Sequence, residues 1–231
     1  MRDQSILGSD MSDDISYIRK WIKRGLSKDK KTLDFSNRNI DNRIASELAE
    51  NVSIPEIEIL YLNNNKIKDF GLEELAGAEI FTPLRELWLY SNSFRDEGIR
   101  ALAESSHVTN LRYLSLYTNK IGDDGAVALA RSKNLANLET LDLSFNRIGD
   151  RGATALAHSE YLGNLKTLHL DANRIGGEGL KALAEAKGLK NLSTLNIMYN
   201  KIEPSGLMAM KVSPRLQKLE RLSADLPDDD I

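Results

Sequence analysis

The chain has 231 residues, 41% of them hydrophobic and 28% charged, with a formal net charge of −3. That balance belongs to a globular protein and excludes wholesale disorder. The complete absence of cysteine excludes disulfide scaffolds, thiolate metal sites and cysteine nucleophiles. No apolar run approaches the ~18 residues needed to cross a bilayer. The slight acidic excess argues against a dedicated nucleic-acid binder. The opening MRDQSILGSDMSDD carries acids early and has no apolar core, so it does not read as a secretory signal.

In chain order, residues 1–11 read as a loose tail. From Ser12, DDISYIRKWIKRG places Ile15, Ile18, Trp21 and Ile22 on one helical face, and Gly25 ends the helix. This helix is expected to cap the open end of the structure that follows, making 1–29 a tail plus a capping helix. The competing reading is a basic amphipathic helix for a membrane or a partner, because Arg19, Lys20, Lys23 and Arg24 share its polar face.

From Lys30 the sequence repeats at a fixed offset of 27 residues. LYLNNNKIKDFGLEELA from Leu60, LWLYSNSFRDEGIRALA from Leu87, LSLYTNKIGDDGAVALA from Leu114, LDLSFNRIGDRGATALA from Leu141 and LHLDANRIGGEGLKALA from Leu168 align without a gap. Seven such units end at Lys218, followed by the half-unit LQKLERLSADL and the acidic segment PDDDI. A period of this length is the mark of a solenoid. Residues 30–231 are therefore expected to form one array of units, a C-terminal half-unit and an acidic tail.

Each unit opens with alternating leucines, for example Leu141 and Leu143, which predict a short strand with one buried face. An apolar residue at Ile67, Phe94, Ile121, Ile148, Ile175 or Ile202 closes the turn. The second half switches to helical spacing, as in Ile99, Leu102 and Ala103. Asp69, Asp96, Asp123 and Asp150 precede these helices and are expected to be their N-caps. Pro204 takes the same slot in the seventh unit, where its missing N–H costs little. Gly98, Gly125, Gly152, Gly179 and Gly206 are expected to let the helices approach the strand layer. Asn65, Asn92, Asn119, Asn146, Asn173 and Asn200 are read as structural amides that satisfy the backbone of each turn. The first unit has Arg38 there, and its turn is expected to be looser.

The pattern LxxLxLxxNxI followed by GDxGAxALA resembles the leucine-rich repeats of ribonuclease-inhibitor type. IGDDGAVALA from Ile121 and IGDRGATALA from Ile148 are also similar to bacterial GALA-type repeats. The resemblance covers Lys30 to about Leu226. It implies an α/β right-handed solenoid, a horseshoe with parallel strands on the concave face and helices on the convex face. It further implies a non-catalytic module that binds a protein partner and needs no cofactor or metal. The GALA-like units carry with them the expectation of a bacterial effector. The chain would then act in the cytoplasm or, exported without a Sec-type signal, inside a host cell. Too few residues precede the array for the F-box domain that some GALA-type proteins carry. Some repeats of ribonuclease-inhibitor type regulate small GTPases, and that is the alternative function.

Binding is expected where the units differ. Strand side chains alternate, so three columns face the concave surface. They run Thr32 to Arg221, Asp34 to Ser223 and Ser36 to Asp225, stepping by 27. Seven of the fourteen aromatics lie on or beside them: Tyr61, Trp88, Tyr90, Tyr113, Tyr117, Phe145 and Tyr199. Cross-strand pairing would account for some of these rings. Tyrosine and tryptophan are also the preferred anchors of protein interfaces, and a protein partner is the favoured reading. Further along, Asp142, His169 and Asp171 are read as an acidic extension selecting a basic segment. A metal site there, or a Ser144–His169–Asp142 hydrolase, fits an open sheet poorly. One edge is basic, with Lys66, Lys120, Arg147, Arg174 and Lys201 in one slot, and is read as a solvated ridge rather than a nucleic-acid track. A monomer is favoured, with neither nucleic acid nor membrane as partner.

Overall fold

The computed structural model describes residues 16–201, 203–214 and 219–224. The expected tail, Ile15, Ile202, Asp225 and the acidic segment after it lie outside those residues. The elements alternate: α1 (Ser16–Gly25), β1 (Thr32–Asp34), α2 (Asn42–Asn51), β2 (Ile59–Tyr61), α3 (Asp69–Ala76), β3 (Glu86–Trp88), α4 (Asp96–Glu104), β4 (Tyr113–Ser115), α5 (Asp123–Arg131), β5 (Thr140–Asp142), α6 (Asp150–Ala157), β6 (Thr167–His169), α7 (Gly177–Ala184), β7 (Thr194–Asn196), α8 (Pro204–Val212) and β8 (Arg221–Ser223). All eight strands form one parallel sheet in sequence order. Leu33, Leu60 and Leu87 stand opposite one another, as do the leucines of every later pair, so the register step equals the repeat length. The chain is an α/β solenoid of leucine-rich units, with strands on one face and helices on the other.

The central residue of each strand points into the core, and Leu87, Leu114, Leu141, Leu168 and Leu195 are fully buried. The helices meet them with stripes such as Ile99, Leu102 and Ala103. A three-residue strand cannot stand alone; stacking against its neighbours makes it stable.

The turn asparagines are the backbone glue expected of them. Asn146 Oδ1 accepts from Ile121 N–H at 3.0 Å, in the preceding unit. Its Nδ2 donates to Leu116 O, Leu143 O and Ser144 O. Asn65, Asn92, Asn119, Asn173 and Asn200 repeat the arrangement. The first unit solves the same problem differently. Asn65 reaches back to take both the Arg38 and the Ile40 N–H. Asn37 and Asn39 both adopt positive φ, where each later turn has one such residue among the described residues. The freed Arg38 guanidinium lies over the Trp21 ring at 5.9 Å.

The helix-start aspartates act across the unit boundary, which corrects the N-cap expectation. Each is the first residue of its own helix, and Lys68, Arg95, Gly122 or Gly149 holds the cap position. The carboxylate serves the next helix. Asp69 takes the Arg95 and Gly98 N–H, and Asp150 takes the Gly176 and Gly179 N–H. Gly98, Gly125, Gly152 and Gly179 make room for these carboxylates, the last three for a turn-closing isoleucine as well, rather than for the strand layer, while a Cβ at Gly206 would meet Leu180 of α7. A Cβ at Gly125 would stand 2.8 Å from Asp96 Oδ1 and 2.7 Å from Ile121 Cγ2.

Two further ladders were not singled out from the sequence. Ser105, Ser132 and Ser159 donate to Ala76 O, Ala103 O and Ala130 O at the helix ends. Asn110, Asn137, Asn164 and Asn191 donate to carbonyls 28 residues earlier.

At the N-terminal end, α1 lies on the first unit. Ile18 and Ile22 are buried, and Trp21 packs on Phe35. The Tyr17 hydroxyl donates to Glu47 on α2. Leu26 bridges antiparallel to Leu33. Arg19, Lys20, Lys23 and Arg24 are exposed. The apolar face of α1 is thus occupied by the first unit. No helix of the described residues is long and apolar enough to cross a membrane.

Candidate functional site

Because the leucine of each strand turns inward, its two neighbours face out. That places Tyr61, Trp88 and Tyr113 on adjoining strands of the open sheet face. Their rings stack. Trp88 lies between Tyr61, at 5.5 Å, and Tyr113, at 4.3 Å, with both ring pairs within 30° of parallel. From Trp88 the contact continues edge-on to Tyr90 at 6.3 Å, to Tyr117 at 6.3 Å and to Phe145 at 5.1 Å. Six of the seven aromatics singled out from the sequence form one connected network. Each such pair contributes about 0.5–1.5 kcal/mol beyond burial, so part of the network serves the sheet itself. All of its rings still reach solvent, and Phe145 is 47% exposed.

Phe145 and Tyr199 carry an additional signature. Their φ angles are 56° and 58°, in the left-handed region. This region costs about 1–2 kcal/mol for residues other than glycine. Asn64 occupies the same slot in another turn, and asparagine tolerates that backbone well. A bulky aromatic there gains nothing by burial, since Tyr199 is 66% exposed. The same slot is left-handed at Asn37, Asn64, Ser91, Thr118 and Ala172, so the conformation belongs to the turn of each unit and not to the aromatics. In the slot Ala172 stands between Tyr199 and Phe145.

The C-terminal half of the face is polar. Asp142, His169 and Asn196 are opposite one another on β5, β6 and β7. His169 Nδ1 pairs with Asn196 Nδ2 at 2.7 Å. Asp142 Oδ1 accepts from Ser144 N–H. Asp171 Oδ1 accepts from Met198 N–H, and its Oδ2 from the Ser144 hydroxyl at 3.3 Å. Ser144 is therefore committed to Asp171 rather than to His169. Among the described residues no group of three or more histidines and acids could hold a metal ion.

The potential of the face is negative. Burial, then Asp142 and Glu86, push the Tyr113 phenol up to about 12. Burial, then Glu86 and Asp34, raise that of Tyr61. Burial also raises the Asp171 carboxyl against the pull of the Met198 N–H and His169.

The two rims differ. At the strand entrances, charges neutralise one another: Lys31 and Arg85 flank Glu58, and Arg112 and Lys166 flank Glu139. At the strand exits Lys66, Lys120, Arg147, Arg174 and Lys201 are exposed and make no ion pair among the described residues. A depression of about 760 Å³ lies elsewhere, on the helix side between α4, α5 and α6. Its floor is Val127, Ala128 and Ala155, and Arg151 at its wall is paired with Asp124. The strand face is an open surface, the form suited to a macromolecule rather than to an enclosed small ligand.

Residues 107–130, 134–157, 164–184 and 188–211 match the leucine-rich-repeat family. No curated protein matches the chain. Among solved structures, an internalin from Listeria monocytogenes is similar, with 25% identity and a TM-score of 0.50. The match covers 75% of this chain and 49% of that one, so the chain spans about half the length of its structural neighbour. Strand register, turn asparagines and family match agree: the chain carries leucine-rich repeats stacked as an α/β solenoid.

Proposed function

We propose that the chain is a non-catalytic module that holds a protein partner on its concave face. The observation that carries this reading is the connected network of Tyr61, Trp88, Tyr90, Tyr113, Tyr117 and Phe145 on the solvent side of the sheet. Asp142, His169, Asp171 and Tyr199 extend the same face. Leucine-rich repeats in general present such extended concave surfaces to proteins. The similarity to an internalin supports a binding module of this kind. The pattern of the repeats resembles the ribonuclease-inhibitor type, and the likeness of the units at Ile121 and Ile148 to GALA-type repeats supports a bacterial effector. Its place of action would be the cytoplasm or the inside of a host cell.

Affinity capture with the wild-type chain and with Tyr90→Ala/Tyr117→Ala tests the reading. Proteins retained by the wild type and lost by the double variant are expected. Equal retention by both, with a folded variant, contradicts it.

A further inference from the structure

Resting on that concave-face reading, the charges and hydrogen bonds of the face specify what it binds. Across its columns the charged side chains are Asp34, Glu86, Asp142 and Asp171, with no lysine or arginine before Arg221 in β8. None of the four carboxylates makes an ion pair among the described residues. Asp34 and Asp142 each take one backbone N–H on Oδ1, from Ser36 and Ser144. Glu86 takes only the Trp88 indole N–H, at 3.3 Å.

Three buried polar side-chain atoms have no hydrogen-bond partner among the described residues. Two of them, Asn63 Oδ1 and Asn196 Oδ1, belong to these columns, and both are acceptors. The third, Arg38 Nε, belongs to the turn beside Trp21. Before β8 the face therefore sets carboxylates that make no ion pair among the described residues beside aromatic rings, with no lysine or arginine to answer them. Arginine is the side chain that answers both: five N–H donors with a permanent charge for the carboxylates, and a flat guanidinium that stacks on aromatics. Lysine offers a compact, strongly hydrated charge that stacks poorly.

We propose that the concave face takes a protein segment bearing arginines, one guanidinium directed to Glu86 and another to Asp142 and Asp171. Glu86 on β3 is in register with Thr140, two strands across, and Asp142 lies two residues further along β5, which sets the two guanidinium groups about 12 Å apart.

The test uses the full chain with Trp21→Phe, leaving Trp88 as the single indole of the two tryptophans. An array of synthetic peptides, with Arg, Lys, Gln and Glu permuted at each position, is titrated while Trp88 emission is read. Peptides with two arginines are expected to bind and perturb Trp88, at least about tenfold more tightly than their Lys or Gln counterparts. Asp142→Asn and Asp171→Asn preserve side-chain shape, and each should lower arginine-peptide affinity by about tenfold while leaving Gln-peptide affinity unchanged. If Gln or Lys peptides perturb Trp88 as tightly as Arg peptides, the arginine proposal is overturned and concave binding stands. If no peptide binds, the proposal is likewise overturned. If peptides bind without touching Trp88 and are lost in Arg147→Ala, both readings fall. Preference for a single-stranded RNA over every peptide, abolished by Arg147→Ala and Arg174→Ala, has the same consequence.

Discussion

The Asp123 carboxylate reaches across a unit boundary and accepts the Gly152 N–H at 2.9 Å, taking the Gly149 N–H at 2.7 Å with the same oxygen. These are the cap and third-position N–H groups of α6, the pair that a capping box satisfies, here supplied from the preceding unit. An anion at that helix end also opposes the helix dipole favourably. Asp123→Ala should therefore lower stability by about 0.5–2 kcal/mol, the usual worth of a cap. Gly152→Ala should be destabilising as well, because a Cβ there would meet Asp123 Oδ1 at 2.7 Å and Ala126 Cβ at 3.0 Å. Chemical denaturation midpoints equal to wild type would contradict this coupling. The ladder ends where Gly177, which has no carboxylate, replaces the aspartate.

Asn146→Ala leaves the Ile121 N–H and three carbonyls short of their partner. These groups are buried, so the expected loss is about 1–3 kcal/mol. The midpoint of urea unfolding measures it, and an unchanged midpoint would show that the turns do not depend on the amide.

Deleting residues 1–25 removes the cover that Ile18 and Ile22 place on the first unit. The newly exposed Leu33 and Phe35 should drive self-association, read by sedimentation. A monomeric, equally stable truncated chain would assign α1 a role other than capping.

Asp171 is held against ionisation by burial. Its folded pKa lies above the unfolded value, so the stability it contributes is present below the ordinary carboxylate range and is lost as pH rises through the raised pKa. Asp171→Asn should therefore gain stability over wild type at neutral pH, and the gain should vanish near pH 3, a value set by the ordinary pKa of ~3.9. Paired melting curves across pH measure it. A gain independent of pH would mean that the carboxylate is not strained by burial.

The leucine columns, turn asparagines and helix stripes were legible in the sequence because each needs only a period and a residue type. The serine ladder at Ser105, Ser132 and Ser159 shares that 27-residue period and was open to the same reading. What periodicity cannot give is direction across the stack. Asp123 marks a helix start, but nothing in its own unit discloses that its carboxylate accepts from α6 of the next one. Ring orientation was hidden for the same reason. Column arithmetic placed Trp88 between Tyr61 and Ser115, with Tyr113 on the next strand, and did not show its ring stacked between Tyr61 and Tyr113. Nor does a residue's identity disclose positive φ at Phe145 and Tyr199, since aromatics are rare there.

The most direct measurement is the affinity of the captured protein partner for Trp88→Ala and for Lys120→Ala, each checked for folding by thermal melting. Trp88 is the ring on which Tyr61, Tyr90 and Tyr113 converge, whereas Lys120 is on the exposed basic rim. Trp88→Ala should weaken binding by about 2 kcal/mol or more, as interface anchors do, with some loss of melting temperature from the broken stack. Lys120→Ala should bind like wild type. Binding abolished by Lys120→Ala and intact in Trp88→Ala would contradict the concave-face account and place function on the rim.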